Sequence, residues 1–295
     1  MKADVNGTSL YYEVVGSGNP LLIMHGGLGF DHTYFRPWID SLAEDSKLVF
    51  YDHRGNGRSD RSKPLDDVYH STWADDANAL REHLGIEKIV LMGHSYGGVL
   101  ALHYALRYPD TLSGLILATT YPAWNYKDVV LEKARERGTP EQVSAIENRF
   151  FERVKDDDDL EELAGLIGNM YFHDSNNPIA GDFGSDVHFS ADGYNRGFVD
   201  IHAQHNVIDD VNRCMNKMII IPGLRSLPKR YYVRGMSANY IGRQSENLAE
   251  ILSNEKVKQD TDKWLKRLDI PYTVGTKKSG NYVEIVFNKP NSKFK

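Results

Sequence analysis

Short apolar runs alternate with amphipathic stretches through the first 120 residues of the chain. The runs predict strands, which are Ser9–Val15, Leu21–Met24, Leu48–Tyr51, Lys88–Met92 and Leu115–Ala118. Between them, apolar residues that return every three or four positions predict helices at His32–Ala43, Thr72–Leu84 and Gly97–Arg107. Short strands that alternate with helices predict an α/β fold with a doubly wound, mostly parallel sheet.

The strand rhythm stops at Tyr121 and gives way to helical patterns. The predicted helices are Lys127–Gly138, Thr139–Val154 and Leu160–Met170. Thr139 is a suitable N-cap because its hydroxyl can accept a hydrogen bond from the first turn, and the acidic tract at 156–159 predicts a solvated helix boundary. We therefore predict a core at residues 1–120, a helical cap at 121–210 and an atypical C-terminal segment at 211–295.

The stretch from Val90 to Gly98 combines an apolar run, the pattern G-x-S-x-G and small residues that open a helix. This is the pattern of a nucleophile elbow, a sharp strand-to-helix turn with a serine at its tip, here Ser95. Gly93 and Gly97 suit the turn because side chains there would collide with neighbouring backbone. The N-terminus of the helix also favours negative charge that develops nearby. Ser95 is therefore the candidate nucleophile.

Two glycine-rich segments precede the elbow, and each directly follows a predicted strand. H-G-G-L-G starts at His25, and Y-D-H-R-G-N-G-R-S-D starts at Tyr51. In an elbow architecture, the first of these loops supplies one backbone N–H of an oxyanion hole, and the residue after the serine supplies the other. The candidate donors are Gly27 and Tyr96, with His25 expected to shape the loop.

Together with G-H-S-Y-G-G, these segments resemble the α/β-hydrolase superfamily and, within it, the proline-iminopeptidase-like branch. The resemblance covers roughly residues 1–210. It implies hydrolysis of a small ester, amide or lactone through an acyl-serine intermediate, with a helical cap over the site. N-terminal prolyl peptides are among the implied substrates, but Leu28 departs from the usual H-G-G-P-G of that branch. Small esters and lactones therefore stay equally open.

The resemblance stops short of the acid and the base of a catalytic triad. The family places the acid behind the next strand, here Met218–Ile221, and Ser226 occupies that place. The family places the base after the last strand, but the last of the eleven histidines is His205. Neither residue of the family can be carried over to this chain.

Three explanations of the missing triad residues stay open. The segment is a natural replacement that makes a pseudo-enzyme, or a fusion or aberrant junction near residues 206–217, or a remote histidine supplies the base. The candidates for the last case are His202 and His205 as base and Asp209 and Asp210 as acid. The remaining histidines near the motifs, His53 beside Asp52 and His94 beside Ser95, are expected to be structural.

Charge separates the C-terminal segment from the rest of the chain. Residues 1–210 hold 18 Lys and Arg against 34 Asp and Glu, whereas residues 211–295 hold 17 against 7. The segment predicts helices at Ser237–Leu252 and Asn254–Leu268 and strands at Pro271–Thr276 and Tyr282–Asn288, with a basic hairpin tip at 277–281. This order weakly resembles part of a winged-helix module, which leaves nucleic-acid contact as one alternative and completion of the hydrolase sheet as the other.

Composition is typical of a globular protein with a sizeable core. Hydrophobic residues make up 41% of the 295 positions and charged residues 26%. No apolar run approaches the ~18 residues that span a bilayer, no leader pattern opens the chain, and a single cysteine, Cys214, fits a reducing compartment. We therefore expect a cytoplasmic protein that acts on a small molecule or short peptide, with no membrane contact, no cofactor and no metal.

Overall fold

A computed structural model describes residues 1–172, 186–214, 219–221, 231–233, 259, 273–279 and 282–288. Seven strands form one sheet in the order β1-β2-β4-β3-β5-β6-β7. They are β1 (Lys2–Val5), β2 (Thr8–Val15), β3 (Asn19–Met24), β4 (Ser46–Tyr51), β5 (Ile89–His94), β6 (Leu112–Ala118) and β7 (Ile219–Ile221). The predicted α/β architecture is confirmed.

Strands β3 to β7 are parallel, so that their carboxyl ends and the loops behind them meet at one edge of the sheet. β3 lies between β4 and β5, and Met24 at its end pairs with Gly93. β1 and β2 form an antiparallel hairpin that the apolar pattern did not predict. Its turn is Asn6-Gly7, with φ of 47° and 73°, the left-handed pair that a two-residue hairpin turn requires.

Two helices cover the sheet beside the candidate elbow. α1 (His70–His83) and α2 (Tyr96–Arg107) pack against each other and against the strands. Trp73 of α1 and Leu100 of α2 are fully buried in the main apolar cluster with Leu22 and Leu91 of the central strands. This packing fixes the N-terminus of α2 behind Ser95.

The predicted helix His32–Ala43 is wrong. The segment instead forms two short 3-10 turns, His32–Phe35 and Asp40–Glu44. Pro37 lacks a backbone N–H and disfavours helical backbone at the residue before it, and Arg36 is accordingly extended.

The segment after β6 is helical where the structure describes it. It contains α3 (Lys127–Arg137), α4 (Pro140–Asn148), α5 (Asp157–Ile167), α6 (Ala191–Tyr194), a π turn at Asn195–Asp200 and α7 (Ile208–Cys214). Thr139 caps α4 as predicted and exchanges hydrogen bonds with Gln142, although α4 ends six residues earlier than the pattern suggested. These helices have an apolar cluster of their own, which includes Leu160, Leu163 and Tyr194.

The C-terminal segment divides between two sheets. β7 pairs in parallel with β6, so residues 219–221 complete the main sheet, as one of the two alternatives required. β8 (Tyr231–Val233), β9 (Thr273–Ser279) and β10 (Tyr282–Asn288) form a separate antiparallel sheet. The predicted basic tip at 277–281 is shorter than expected, because Lys277 and Lys278 belong to β9 and Ser279 pairs with Tyr282.

The helices predicted at 237–252 and 254–268 lie outside the described residues, apart from the helical Gln259. In the described ranges, no helix has both the length and the apolar character needed to cross a membrane.

Candidate active site

Ser95 stands at a strained turn between β5 and α2. Its φ of 52° and ψ of −122° lie in a region that non-glycine residues rarely adopt. The glycines on either side permit the turn. A Cβ on Gly93 would lie 2.5 Å from the Gly97 carbonyl oxygen, and a Cβ on Gly97 would lie 2.2 Å from the carbonyl oxygen of Met24. The sequence argument for these two glycines therefore agrees with the contacts.

The loop after β3 packs directly on the elbow. A Cβ on Gly26 would lie 2.8 Å from the Cβ of Ser95, so only glycine allows this approach. Gly27 has a φ of 53° and carries an N–H group with no acceptor among the described residues. Tyr96 is the first residue of α2, so its N–H has no acceptor within the helix. Gly26, the neighbour of Gly27, and Tyr96 thus lie next to Ser95, and the oxyanion role of the Gly27 and Tyr96 N–H groups stays a prediction.

The Ser95 hydroxyl has no hydrogen-bond partner in the part of the chain that the structure describes. The backbone of Ser95 is held instead: its N–H donates to the Ala118 carbonyl at 2.9 Å, and its carbonyl accepts from the Thr120 hydroxyl at 2.7 Å. Ser226, which occupies the place of the family's acid, lies outside the described residues.

His202 lies near the elbow but has no hydrogen bond to the serine among the described residues. Its ring is 5.1 Å from the ring of Tyr96 and 4.1 Å from that of Trp124. Its Nε2 is hydrogen-bonded to the hydroxyl of Tyr121. Burial, reinforced by the charge of His205, lowers the pKa of His202 to about 3.

His205 is held further from the elbow, between α2 and the loop after β6. Its Nδ1 lies 3.2 Å from Nε2 of His103, and its Nε2 lies 3.1 Å from the Tyr121 carbonyl oxygen. Burial lowers its pKa as well. Asp209 is exposed, and Asp210 acts on His103 as a nearby charge. Among the described residues, therefore, none of the four candidates for base and acid is hydrogen-bonded to Ser95.

Four histidines come together here from three separate parts of the chain, and we call them the histidine cluster: His70, His103, His202 and His205. His70 stacks on His103 with ring centroids 4.8 Å apart, and its Nε2 lies 2.8 Å from the Tyr96 hydroxyl. Burial, with the charges of the neighbouring histidines, lowers the pKa of His70 to about 2 and that of His103 to about 4. Within the described residues, no group of His, Cys, Asp or Glu has the arrangement of a metal site.

The histidines of the upstream motifs, His25 and His53, hydrogen-bond to backbone groups of their own loops. Nδ1 of His25 lies 3.0 Å from the Gly26 carbonyl oxygen, and Nε2 of His25 accepts from the N–H of His53 at 3.0 Å. Asp52 is fully buried and bonds His32 at 2.5 Å and the N–H of Arg58 at 2.8 Å. Burial alone would raise the pKa of Asp52, but these hydrogen bonds and nearby positive charge outweigh it and hold the pKa at about 2.

Asn56 is a site residue that the sequence argument missed, although it stands inside a quoted motif. Its side chain is fully buried, and its Oδ1 accepts from the Gly29 N–H at 2.6 Å. A Cβ on Gly193 of the helical segment would lie 2.4 Å from the same oxygen. Ser190 adds hydrogen bonds to the Gly29 and Gly55 carbonyls. Asn56 and Ser190 therefore join the glycine-rich loop to the helical segment above it.

Comparison with known proteins places this geometry in a family. A family model described as alpha/beta hydrolase fold matches residues 19–263, which extends beyond residue 210, where the sequence motifs lose their resemblance. Among curated proteins, the chain is 40% identical over 119 residues to a proline iminopeptidase of Clostridium botulinum, covering 38% of this chain and 40% of that protein. It is 36% identical over 148 residues to a proline iminopeptidase of Saccharolobus solfataricus, covering 49% and 47%. The chain thus spans less than half the length of these relatives.

Among solved structures, a hydrolase from Pseudomonas aeruginosa PA01 superimposes with a TM-score of 0.57. The superposition covers 91% of this chain and 97% of that one at 17% sequence identity, a likeness of fold alone.

Proposed function

Because this chain belongs to the α/β-hydrolase fold family, we propose that it hydrolyses small ester, amide or lactone substrates through an acyl-Ser95 intermediate. One observation carries the proposal. Ser95 is held in strained backbone at the tip of the elbow and packs against Gly26, and the N–H groups of the adjoining residues Gly27 and Tyr96 have no acceptor among the described residues. Such strain persists only where the surrounding structure imposes it, and it is typical of catalytic positions.

The geometry is suited to acyl transfer. The Ser95 oxygen attacks the substrate carbonyl carbon, and the carbonyl oxygen becomes an oxyanion that accepts from the Gly27 and Tyr96 N–H groups. The bond from the carbonyl carbon to the leaving alcohol or amine then breaks, and the leaving group takes up the proton that the Ser95 hydroxyl lost on attack. Water adds to the acyl carbon, the bond to Ser95 breaks, and the serine oxygen regains a proton as the acid is released. A single oxyanion donor is worth about a hundredfold to a thousandfold in rate.

The substrate class rests on the relatives and on the loop sequence. The similarity to two proteins named proline iminopeptidase favours peptides with an N-terminal proline as substrates. Leu28, where that branch has proline, keeps small esters and lactones as equal candidates. A proline p-nitroanilide, p-nitrophenyl acetate and a simple γ-lactone together cover the three classes.

The test is a comparison of Ser95→Ala with the wild-type protein on these substrates. Ser41→Ala is the matched control, because Ser41 lies on the turn Asp40–Glu44, far along the loop, and its buried hydroxyl has no partner in the described structure. We expect Ser95→Ala to abolish turnover and Ser41→Ala to retain it. Equal rates for wild type and Ser95→Ala would refute Ser95 catalysis.

A binding protein that retains the fold without efficient catalysis is the second candidate. It is favoured by the state of the two candidate bases: His202 and His205 are buried and neutral, and neither is hydrogen-bonded to Ser95 among the described residues. A fluorophosphonate probe separates the two candidates, since it labels an activated serine and leaves an ordinary hydroxyl unmodified. If the probe labels Ser95, replacement of His202 by Gln decides whether that residue is the remote base, because a base is required for labelling at neutral pH.

The nucleic-acid alternative for residues 211–295 rests on charge and on the β9–β10 hairpin alone. The hydrolase family model runs through residue 263, and β7 belongs to the hydrolase sheet. Both observations favour the completion of the hydrolase fold over a separate binding module.

A further inference from the structure

The loop that carries Gly27 is tied to the elbow by a short chain of hydrogen bonds. The N–H of Gly26 donates to the Tyr34 hydroxyl at 2.6 Å, and that hydroxyl lies 2.8 Å from Nδ1 of His94. His94 is the neighbour of Ser95 and ends β5. The chain therefore links the His25–Gly26 peptide group to the residue before the serine through one tyrosine side chain.

The direction of the chain follows from the protonation of its members. Burial, reinforced by the charge of His25, lowers the pKa of His94 to about 4, so its imidazole is neutral at pH 7. The Tyr34 hydroxyl already accepts from Gly26, and burial raises the pKa of this hydroxyl, which keeps its proton. The arrangement that satisfies both residues has the Tyr34 hydroxyl donating to an unprotonated Nδ1.

We propose that Tyr34 is a positioning residue, which holds Gly26, and through it the Gly27 N–H of the proposed oxyanion hole, by bridging the Gly26 N–H to Nδ1 of His94. This inference rests on the proposed hydrolysis at Ser95. The loop after β3 and the elbow come from strands that pair at Met24 and Gly93, but the strand hydrogen bonds end there. Beyond that point, the Tyr34 side chain hydrogen-bonds both to the loop and to the residue before the serine.

The geometry at Gly26 explains why a small change matters. Gly26 lies against Ser95 and against the His94 carbonyl oxygen, which a Cβ would approach to 2.7 Å. Its N–H points to Tyr34, while the next N–H, that of Gly27, has no acceptor among the described residues. If the Tyr34 hydroxyl is removed, the His25–Gly26 peptide loses the hydrogen bond on its N–H, and Gly26 is then held by the bond between its carbonyl oxygen and Nδ1 of His25.

The test is Tyr34→Phe, which deletes one oxygen and keeps the ring. An oxyanion contact is made in the transition state alone, so we expect kcat to fall about tenfold with KM nearly unchanged. Tyr104→Phe is the matched control, because the Tyr104 hydroxyl is also buried and bonded, to Thr111 at 2.9 Å, but lies in the latter part of α2. A loss of the same size in both variants, or a rise in KM without a fall in kcat, would overturn the proposal.

A second pair of variants tests the acceptor. His94→Asn can place a carbonyl oxygen near the position of Nδ1, whereas His94→Leu offers no acceptor. We expect His94→Asn to recover most of the kcat that His94→Leu loses. Equal activities for the two variants would mean that packing, rather than the hydrogen bond, is what His94 supplies.

A readout independent of turnover separates this inference from the proposed function. If the wild-type protein has no Ser95-dependent activity, the proposed hydrolysis is wrong, and two NMR measurements still decide the role of Tyr34. We expect an imidazole at His94 that carries its proton on Nε2, and amide exchange at Gly26 that accelerates in Tyr34→Phe but not in Tyr104→Phe. A proton on Nδ1, or unchanged exchange at Gly26, would contradict the chain.

Discussion

At the scale of single residues, the elbow depends on positions where a methyl group has no room. The methyl group of an alanine at position 97 would meet the carbonyl oxygens of Met24 and His25 at 2.2 and 2.4 Å. Met24 ends β3, which the sheet holds on two sides, and the carbonyl oxygen of His25, the next residue, accepts from Nε2 of His53. The Met24 oxygen cannot move away without disturbing strand pairing, so the clash cannot relax cheaply.

We expect Gly97→Ala to lower the free energy of unfolding by about 3 kcal/mol, because overpacking against fixed backbone forces the helix off the sheet. Gly165→Ala is the matched control. Gly165 lies on the exposed side of α5 with nothing within 4 Å of its ideal Cβ, so alanine there should stabilise by about 0.5–1 kcal/mol. Urea unfolding of both variants measures the difference, and a mild effect of Gly97→Ala would show that the elbow adapts.

At the scale of elements, the histidine cluster packs the end of the helical segment against the core. His70 comes from α1 and His103 from α2, while His202 and His205 belong to the chain that leads into α7. All four have pKa values lowered by burial, so their imidazoles are neutral in the folded protein at pH 7. The charged groups that act on it are Arg107, Arg196 and Asp210.

The histidine cluster should make the free energy of unfolding depend on pH. In the unfolded chain a histidine binds a proton near pH 6.5, whereas His70, His103 and His202 stay neutral in the fold down to about 2, 4 and 3. The contribution of these neutral histidines to the free energy of unfolding is therefore complete above pH 6.5 and is lost as the pH falls below that value. Each such histidine costs about 1.4 kcal/mol per pH unit in that range. The stabilisation from the Asp52 carboxylate, whose pKa is about 2, is lost only at lower pH than that of the histidines.

Urea unfolding at pH 7.5, 6 and 5 measures this slope. We expect His70→Gln to reduce it by about one proton, that is by about 1.4 kcal/mol per pH unit. His83→Gln, an exposed histidine of the same helix, serves as control and should leave the slope unchanged. An identical slope in wild type and His70→Gln would place the pH dependence elsewhere.

The same elements show how far sequence could lead. Apolar runs and local motifs predicted the parallel strands, Ser95 and its flanking glycines, because each depends on neighbours along the chain. The β1–β2 hairpin was missed, since its signal is the turn pair Asn6-Gly7 rather than apolar periodicity. The histidine cluster and the Tyr34 bridge were missed for a different reason. Their members are brought together by strand order and helix packing, which no local pattern encodes.

At the scale of the whole molecule, the described strands fall into two sheets that share no strand pairing. The acidic residues 1–210 supply six of the seven strands in the main sheet, and the basic segment supplies the seventh and all three of the second. The family model ends at residue 263, before the β9–β10 hairpin begins at Thr273.

Removal of residues 264–295 should therefore spare the main sheet. We expect the shortened protein to retain a cooperative thermal transition with the wild-type Tm, because the lost strands pair only with β8 among the described strands. Calorimetry measures the transition, and hydrolysis dependent on Ser95 is the parallel readout. A broad or strongly lowered transition would show that the second sheet is part of the same cooperative unit.

The contact of Gly97 with the Met24 carbonyl also orders events in time. It joins positions about 70 residues apart in the chain, so it forms only after β3 and β5 have come together, at a considerable loop-closure cost. Until then nothing compensates the strained backbone of Ser95, which costs on the order of 1–3 kcal/mol. A nascent α2 is free to relax backwards through Ser95 into ordinary helix. We therefore expect the sharp turn at this serine to form late in folding, after β3 and β5 have paired.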